Sequence, residues 1–297
     1  MLNQAQLDKI KAGQGFVAAL DQSGGSTPKA LRHYGVEEDA YTNDDEMFAL
    51  IHQMRSRIVN APAFSGEKVV GAILFEMTMD RQIEGKPAAQ TLWESNGVVP
   101  FLKCDKGLMD EHNGVQLMKP IDGLDALMER AVSAGMFGTK MRSVINAANP
   151  EGVAAIVAQQ FEIARQIAAH GLVAIIEPEV NINAVDKAEA EALLLAEITK
   201  HADAWELDVP FMLKLTLPEV ANHYASLVKH PKCLRIVALS GGYDRTEANR
   251  RLAQNTGIIA SFSRALTEGL SAKQTDDDFN GVLSATIDSI HQASISG

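Results

Sequence analysis

The sequence predicts an α/β fold, an eight-stranded parallel β/α (TIM) barrel that occupies residues 1–297 as a single domain. Three observations support this prediction. Eight short apolar segments alternate with segments of helical periodicity, as expected of repeated β/α units. Several of these segments are continuous apolar runs, which is typical of parallel strands covered on both faces. The chain of 297 residues also has a size at which such barrels form one domain.

Each predicted strand is an apolar run bounded by glycine, proline or charged residues. In chain order the runs are 15–21, 69–75, 99–103, 137–141, 172–179, 211–217, 233–242 and the start of 257–266.

The predicted helices lie between these runs, and the best marked spans 149–171. Asn149 can cap it, Pro150 suits its first turn, and Gly171 ends it. The other predicted helices are 3–11, 42–61, 123–135, 187–205, 218–230, 244–255 and a closing helix at 277–294, with a loop containing some helix at 80–98. An open doubly wound sheet is the alternative fold. It requires a glycine fingerprint after an early strand, and the SGGSTP turn at 23–28 does not supply one.

The chain is acidic, with a formal net charge of −11. Nucleic-acid binding requires a basic face, so the charge argues against nucleic acid as a partner. A site for an anionic small molecule would need its cations gathered locally.

The sequence also contains features that bear on the cellular location of the protein. Cys104 and Cys233 each lie in an apolar run and read as buried free thiols. The N-terminal residues lack the apolar core of a signal peptide, and no apolar run reaches the ~20 residues of a membrane span. We therefore expect a cytoplasmic protein that does not associate with membranes. The sequence leaves the oligomeric state open, including a homo-oligomer.

Lys214 lies inside the apolar strand FMLKLTL at 211–217. Lysines are seldom buried without a partner. Burial favours the neutral amine, which is a nucleophile that forms Schiff bases with carbonyl groups. The alternative is a lysine near a strand end whose ammonium reaches water.

Charged and hydroxyl side chains close nearly every predicted strand. In a β/α barrel these strand ends meet at one mouth, where active sites lie. Burying several charges is costly unless they pair, so stability alone rarely gathers them. The strand-end residues are Asp21, Glu76, Lys103, Asp105, Lys106, Lys140, Arg142, Glu177, Glu179, Lys214, Ser240, Gly241, Gly242, Ser261, Ser263 and Arg264.

These residue types suggest distinct roles. Cations around Lys214 would further favour its neutral form, and the carboxylates can move protons. The LSGG and FSRAL segments offer backbone N–H groups, hydroxyls and Arg264 where barrels commonly hold a phosphate. The eight histidines form neither an HxH nor an HExxH pattern, so the sequence predicts no metal ligands and no cofactor.

Seven segments together resemble class I fructose-bisphosphate aldolase, the Schiff-base type, in its short bacterial form. The resemblance runs along nearly the whole chain, in the same order and with similar spacing. The segments are ALDQSGGS (19–26), VPFLKCDKG (99–107), GTKMR (138–142), VAIIEPE (173–179), LKLTL (213–217), LSGG (239–242) and FSRAL (262–266).

The resemblance implies metal-independent, reversible cleavage of fructose 1,6-bisphosphate to glycerone phosphate and glyceraldehyde 3-phosphate, in glycolysis or gluconeogenesis. It assigns the Schiff base to Lys214, proton transfer to Glu177 with support from Lys140, removal of the C4 hydroxyl proton to Asp21, and the orientation of Lys214 to Glu179. It assigns the C1 phosphate to Ser240, Gly241, Ser263 and Arg264, and the C6 phosphate to Ser23, Ser26 and Lys103. Gly242 and Arg142 complete the expected phosphate-binding set.

The chain departs from the animal members of the family in three places. Gln22 stands where they have glutamate, and Phe262 and Ser263 stand where they have a Tyr-Gly pair. The chain also ends in QASISG, without their C-terminal tyrosine, which leaves water, a substrate phosphate or Lys140 as the base at C3.

Three alternatives stay open at this point. One is an aldolase for another ketose bisphosphate, such as tagatose bisphosphate. The second is a phosphosugar lyase or isomerase that uses Lys214 only for its charge. The third is a barrel without catalytic activity.

Overall fold

Eight parallel strands form the centre of the computed structural model, which describes residues 2–297. Each strand, here β1 to β8, is hydrogen-bonded to its neighbours in chain order. The barrel closes between β8 and β1, where the Ala19 N–H donates to the Phe262 carbonyl at 3.3 Å. The strands are Phe16–Leu20, Val69–Phe75, Val99–Lys103, Gly138–Ile145, Val173–Val180, Phe211–Thr216, Cys233–Leu239 and Ile258–Ala260. This architecture confirms the predicted β/α barrel.

Helices surround the strands and connect them. Here α1 to α12 denote Gln4–Ala12, Thr27–His33, Asp44–Asn60, Glu76–Met79, Ala88–Gln90, Leu124–Ser133, Pro150–Ala169, Lys187–Asp203, Ala225–Val228, Arg245–Leu252, Arg264–Thr267 and Asp276–Ile295. Among residues 2–297, no helix is long and apolar enough to cross a membrane.

The helix predicted over 218–230 is wrong for most of its length, because only Ala225–Val228 is helical. Asn222 has a φ of 60°, a left-handed conformation that a helix cannot contain. Its N–H donates to the Asn255 side-chain oxygen at 2.8 Å, and its own side-chain oxygen accepts from the Thr256 N–H at 2.8 Å. These two bonds tie the segment to the turn before β8.

Two strand bounds also differ from the prediction. The fourth strand, predicted to end at residue 141, continues to Ile145, where it pairs with β5 on one side and with Val115–Gln116, in antiparallel orientation, on the other. The sequence pattern missed the second pairing, since Val115–Gln116 is only two residues long. The seventh strand, predicted over 233–242, ends at Leu239.

The inward-facing side chains of the strands form an apolar floor inside the barrel. Val17, Phe101, Ile175 and Met212 belong to one buried cluster there, and Ile10 of α1 packs into it. Successive side chains on a strand point to opposite faces. Residues two or four positions further along each strand therefore face the same interior, above the floor. This register places Asp21, Lys103, Glu177 and Lys214 inside the barrel.

A buried ion pair within α8 is hydrogen-bonded to the backbone that follows β6. The Lys187 ammonium lies 2.5 Å from the Glu191 carboxylate and also donates to the Leu217 carbonyl at 3.0 Å. The other Glu191 oxygen accepts from the Glu219 N–H at 2.9 Å. Glu191 is 1% exposed, so removing it would leave the buried Lys187 charge with only the half-exposed Glu219 carboxylate, 3.6 Å away.

We expect Glu191→Ala to lower the free energy of unfolding by roughly 2–4 kcal/mol, because the buried Lys187 loses its nearer and better buried counter-charge and keeps only Glu219 at 3.6 Å. Equilibrium unfolding in urea, followed by circular dichroism, measures the change. Glu197→Ala on the same helix is the matched control. Glu197 pairs at 3.2 Å with Lys200, whose side chain is 71% exposed, so its loss should cost at most about 1 kcal/mol. Equal effects of the two variants would contradict the expectation.

Candidate active site

A cavity of about 920 Å³ opens at the carboxyl ends of the barrel strands. The charged side chains that face the interior above the apolar floor form the walls of this cavity. The fourteen predicted site residues all line it: Asp21, Ser23, Ser26, Lys103, Lys140, Arg142, Glu177, Glu179, Lys214, Ser240, Gly241, Gly242, Ser263 and Arg264. Glu76, also noted at a strand end, instead begins α4 and pairs with Lys106 at 2.7 Å and with Arg130 at 3.0 Å.

A chain of ion pairs crosses the bottom of the cavity, above the apolar floor. The Lys214 ammonium nitrogen lies 3.0 Å from one Glu177 oxygen, and the other Glu177 oxygen lies 2.9 Å from Lys140 Nζ. Lys140 Nζ continues the chain to Asp21 at 2.6 Å. The side chains of all four residues are at most 10% exposed. Strands β4, β5 and β6 are neighbours in the sheet, which is why side chains far apart in sequence meet here.

The charges in this series of ion pairs determine whether Asp21 and Lys140 are ionised. Burial by itself would raise the pKa of Asp21, but Lys140, Lys214 and Lys103 hold that pKa well below its usual range. Burial would likewise lower the pKa of Lys140, but Asp21 and Glu177 raise it above its usual range. Asp21 is therefore a carboxylate and Lys140 an ammonium at neutral pH.

Gln160 of α7 is hydrogen-bonded to the backbone of Glu177. It was not identified from the sequence. Its side-chain oxygen accepts from the Glu177 N–H at 2.8 Å, and its amide nitrogen donates to the Ser143 hydroxyl. Gln160 is fully buried on the inner face of an otherwise apolar helix surface. A polar residue at such a position was the available signal.

Two further ion pairs lie in the cavity wall. Arg142 Nε donates to Glu179 at 2.5 Å, and Lys103 Nζ donates to the Asp105 carboxylate at 2.6 Å. Glu179 was expected to orient Lys214, but its side chain pairs with Arg142. Arg142 and Glu179 each lie two residues beyond a member of the ion-pair chain, Lys140 and Glu177. Asp105, which follows β3, joins the cavity wall as a partner of Lys103.

The turn after β7 requires glycine. Gly241 and Gly242 have φ values of 61° and 124°, and a Cβ on Gly241 would lie 2.7 Å from the Ile182 side chain. A Cβ on Gly242 would lie 3.4 Å from the Arg264 guanidinium. The glycine turn and the arginine therefore border the same part of the cavity. Within residues 2–297, Arg264 makes no side-chain hydrogen bond or ion pair.

The loop after β1 forms the adjoining wall. The Ser26 hydroxyl accepts from the Ser23 N–H at 3.0 Å and donates to the Ser23 carbonyl at 3.0 Å. Gln22 reaches across the closure of the barrel and donates to the Ser263 hydroxyl at 2.9 Å. The loops after β1 and β8 are thereby joined at the cavity.

Two basic side chains of α2 also line the cavity and were not identified from the sequence. Lys29 and His33 are four residues apart, so they lie on one face of this helix. The signal was their helical spacing after the glycine turn at 24–25. No cluster of three or more histidine, cysteine or acidic side chains suited to a metal ion occurs among residues 2–297.

The site therefore combines a buried lysine amine, an adjacent carboxylate, a second carboxylate kept ionised, and hydroxyl, amide and cationic groups around the rim. This arrangement can form an imine with a carbonyl compound, move protons at the carbonyl and at a neighbouring hydroxyl, and hold anionic groups.

Known proteins resemble this chain along its length. The family model for fructose-bisphosphate aldolase class I matches residues 2–201. A curated protein of Synechocystis sp., fructose-bisphosphate aldolase class 1, is 57% identical over 293 residues, which cover 99% of this chain and 98% of that protein.

Two solved structures share the fold. The fructose-bisphosphate aldolase of Plasmodium falciparum superposes with a TM-score of 0.79 at 20% identity, covering 98% of this chain and 93% of its own. The protein Cgl0159 of Corynebacterium glutamicum gives a TM-score of 0.56 at 13% identity, with coverages of 98% and 92%. The family match and the 57% identity establish that this chain belongs to the class I fructose-bisphosphate aldolase family.

Proposed function

We propose that this protein catalyses the reversible cleavage of fructose 1,6-bisphosphate to glycerone phosphate and glyceraldehyde 3-phosphate, through a Schiff base on Lys214. One observation carries the proposal. The Lys214 amine is buried in a cavity wide enough for a phosphosugar and lies 3.0 Å from the Glu177 carboxylate. A nucleophile within hydrogen-bond reach of its base is the arrangement that covalent catalysis requires.

Imine formation uses Lys214 and Glu177. Glu177 takes a proton from the Lys214 ammonium, and the free amine adds to the C2 carbonyl of the ketose. The resulting carbinolamine loses water after Glu177 returns a proton to the departing hydroxyl. Lys140 lies 2.9 Å from Glu177, so its positive charge faces the carboxylate that forms when Glu177 gives up this proton.

Bond cleavage uses Asp21. Asp21 accepts the C4 hydroxyl proton while the C3–C4 bond breaks, and glyceraldehyde 3-phosphate leaves as the aldehyde. The electron pair of the broken bond moves into the protonated imine, which becomes an enamine. Because Asp21 is held ionised by Lys140, it is ready to accept this proton at neutral pH.

The enamine must next gain a proton at C3, and hydrolysis then frees glycerone phosphate. Lys140 was one candidate for this proton transfer. Its raised pKa keeps it an ammonium at neutral pH, the form that donates a proton rather than removes one. Water, the substrate phosphate and Lys140 stay the three candidates for the base that removes the C3 proton in the reverse direction.

The two phosphates fit two adjoining hydroxyl-rich parts of the cavity wall. Ser240, the glycine turn and Arg264 border one part, where backbone N–H groups can face an anion. Ser23, Ser26 and Lys103 border the second part. The cytoplasmic location and a homo-oligomeric state stay predictions, which cell fractionation and light scattering can test.

Borohydride reduction with fructose 1,6-bisphosphate should trap a covalent adduct on Lys214, because reduction converts the imine into a stable amine. Peptide mass spectrometry locates the adduct. Lys214→Arg should lose the adduct and at least ~10³-fold in kcat/KM. EDTA should leave turnover unchanged.

The matched control is Lys68→Arg, which alters a lysine paired with Asp288 at 2.5 Å, outside the cavity lining. It should keep both the adduct and the activity. Substantial turnover by Lys214→Arg would instead favour an enzyme that uses this lysine only for its charge. Assays with tagatose and sedoheptulose bisphosphates test which ketose is preferred.

We expect Lys140→Met to move the acidic limb of the pH profile of kcat/KM upward by roughly one to three pH units. Lys140 lowers the pKa of Asp21, whereas burial raises it. Without the ammonium, Asp21 would need a higher pH to lose its proton and act as a base. The residual activity, measured from about pH 4 to 9, reports this shift.

Lys106→Met is the control for this profile, because Lys106 forms its ion pair with Glu76 at 2.7 Å, outside the cavity lining. It should leave the acidic limb in place. An unshifted limb in Lys140→Met would mean that a group other than Asp21 controls it.

A further inference from the structure

Arg55 lies in the middle of α3 and points toward the barrel, where it is 1% exposed. Burying a guanidinium is costly, and such groups usually pair with a carboxylate. Among residues 2–297, Arg55 has no carboxylate within ion-pair distance. Burial lowers its pKa to about 10, with Asp21 acting in the opposite direction, so Arg55 still carries its charge at neutral pH.

All acceptors around Arg55 are neutral. One terminal nitrogen donates to the Thr78 hydroxyl at 2.8 Å. The other donates to the Gln22 backbone carbonyl and lies 3.4 Å from the Gln22 side-chain oxygen. Arg55 therefore fixes both the backbone and the side chain of one residue in the loop after β1.

Gln22 passes this constraint to the cavity. Its side-chain oxygen faces Arg55, so its amide nitrogen faces the other way and donates to the Ser263 hydroxyl at 2.9 Å. With that nitrogen as donor, the Ser263 oxygen accepts, and its own hydrogen stays available for another acceptor. Both Gln22 and Ser263 line the cavity.

The charge of Arg55 also affects phosphate binding, because the positive and negative side chains of the cavity lining are equal in number. The lining contains six lysine and arginine side chains and six carboxylates. A phosphate entering this cavity meets no net positive charge from the lining residues. Arg55 lies directly behind the lining and adds a positive charge beside Gln22 and Ser263, with Asp21 near enough to act on it but not to form an ion pair.

We propose that Arg55 is a positioning residue for substrate phosphate, which orients the Ser263 hydroxyl through Gln22 and adds positive charge at the junction of the loops after β1 and β8. The proposal rests on the proposed function, since it assigns the anion to a phosphate of the sugar. Arg55 does not touch substrate, because Gln22 separates it from the cavity.

The test uses the full-length protein and two probes, inorganic phosphate and fructose 1,6-bisphosphate. Arg55→Met keeps most of the side-chain volume and removes the charge. It should weaken phosphate binding, measured by titration calorimetry, and raise KM, each roughly tenfold to hundredfold. The value of kcat should change less than about threefold. Arg55→Lys should recover part of the affinity, since it keeps the charge and loses the two-pronged contact.

Arg57→Met is the matched control on the same helix. Arg57 faces outward, pairing with Asp276 at 2.9 Å and donating to the Gln274 carbonyl at 2.6 Å. It should leave phosphate affinity and KM unchanged.

Gln22→Met provides a second variant that leaves Arg55 in place. It removes the donor to Ser263 without adding a charge to the cavity, so phosphate affinity should fall. If Arg55→Met does not fold, this variant decides the question.

Unchanged phosphate affinity in folded Arg55→Met, or in Gln22→Met, would overturn the proposal. A loss of kcat alone, or an equal loss in Arg57→Met, would also overturn it. Phosphate binding is measured without turnover. Failure of the aldolase assignment would appear separately, as a missing borohydride adduct on Lys214.

Discussion

The ion-pair chain from Lys214 through Glu177 and Lys140 to Asp21 is the interaction on which the site depends. Burying four ionisable side chains separately would be prohibitive, whereas alternating their charges makes burial tolerable. The same alternation sets the chemistry, because each carboxylate lies against a cation with which it can share a proton. The position of these charges also depends on the register of the strands. Strand side chains face inward at every second position, so the polar layer lies directly above the apolar floor only if the strands keep their register.

The sequence was sufficient to predict the barrel and the residues around its cavity, for a physical reason. Continuous apolar runs indicate parallel strands, and the residues that close such strands converge at one end of a barrel. Lys214 and Asp21 could therefore be assigned to one cavity although about 190 residues separate them. The class I family resemblance supplied their expected roles, which geometry alone does not provide.

Other features could not be predicted because they depend on contacts between distant segments. The contact between Arg142 and Glu179 is diagonal across β4 and β5, since the register places Arg142 opposite Glu177 and Val144 opposite Glu179. The turn at Asn222 replaces an expected helix because it bonds to residues just before β8. Gln160 and Arg55 lie on helices whose other inward residues are apolar, and only the folded structure shows what each of them holds.

The cations of the site can attract anions in two ways. Lys103 uses two of its three donors on Asp105, and Arg142 uses its Nε on Glu179. Those carboxylates cancel the charge of their partners but orient them, leaving directed N–H groups free for a phosphate. Arg264 and the buried Arg55, by contrast, have no carboxylate partner within ion-pair distance among residues 2–297. They attract a phosphate by their charge, with Arg55 largely shielded from salt by its burial. An acidic protein can therefore hold a bisphosphate by combining cations free of carboxylate partners with directed hydrogen bonds.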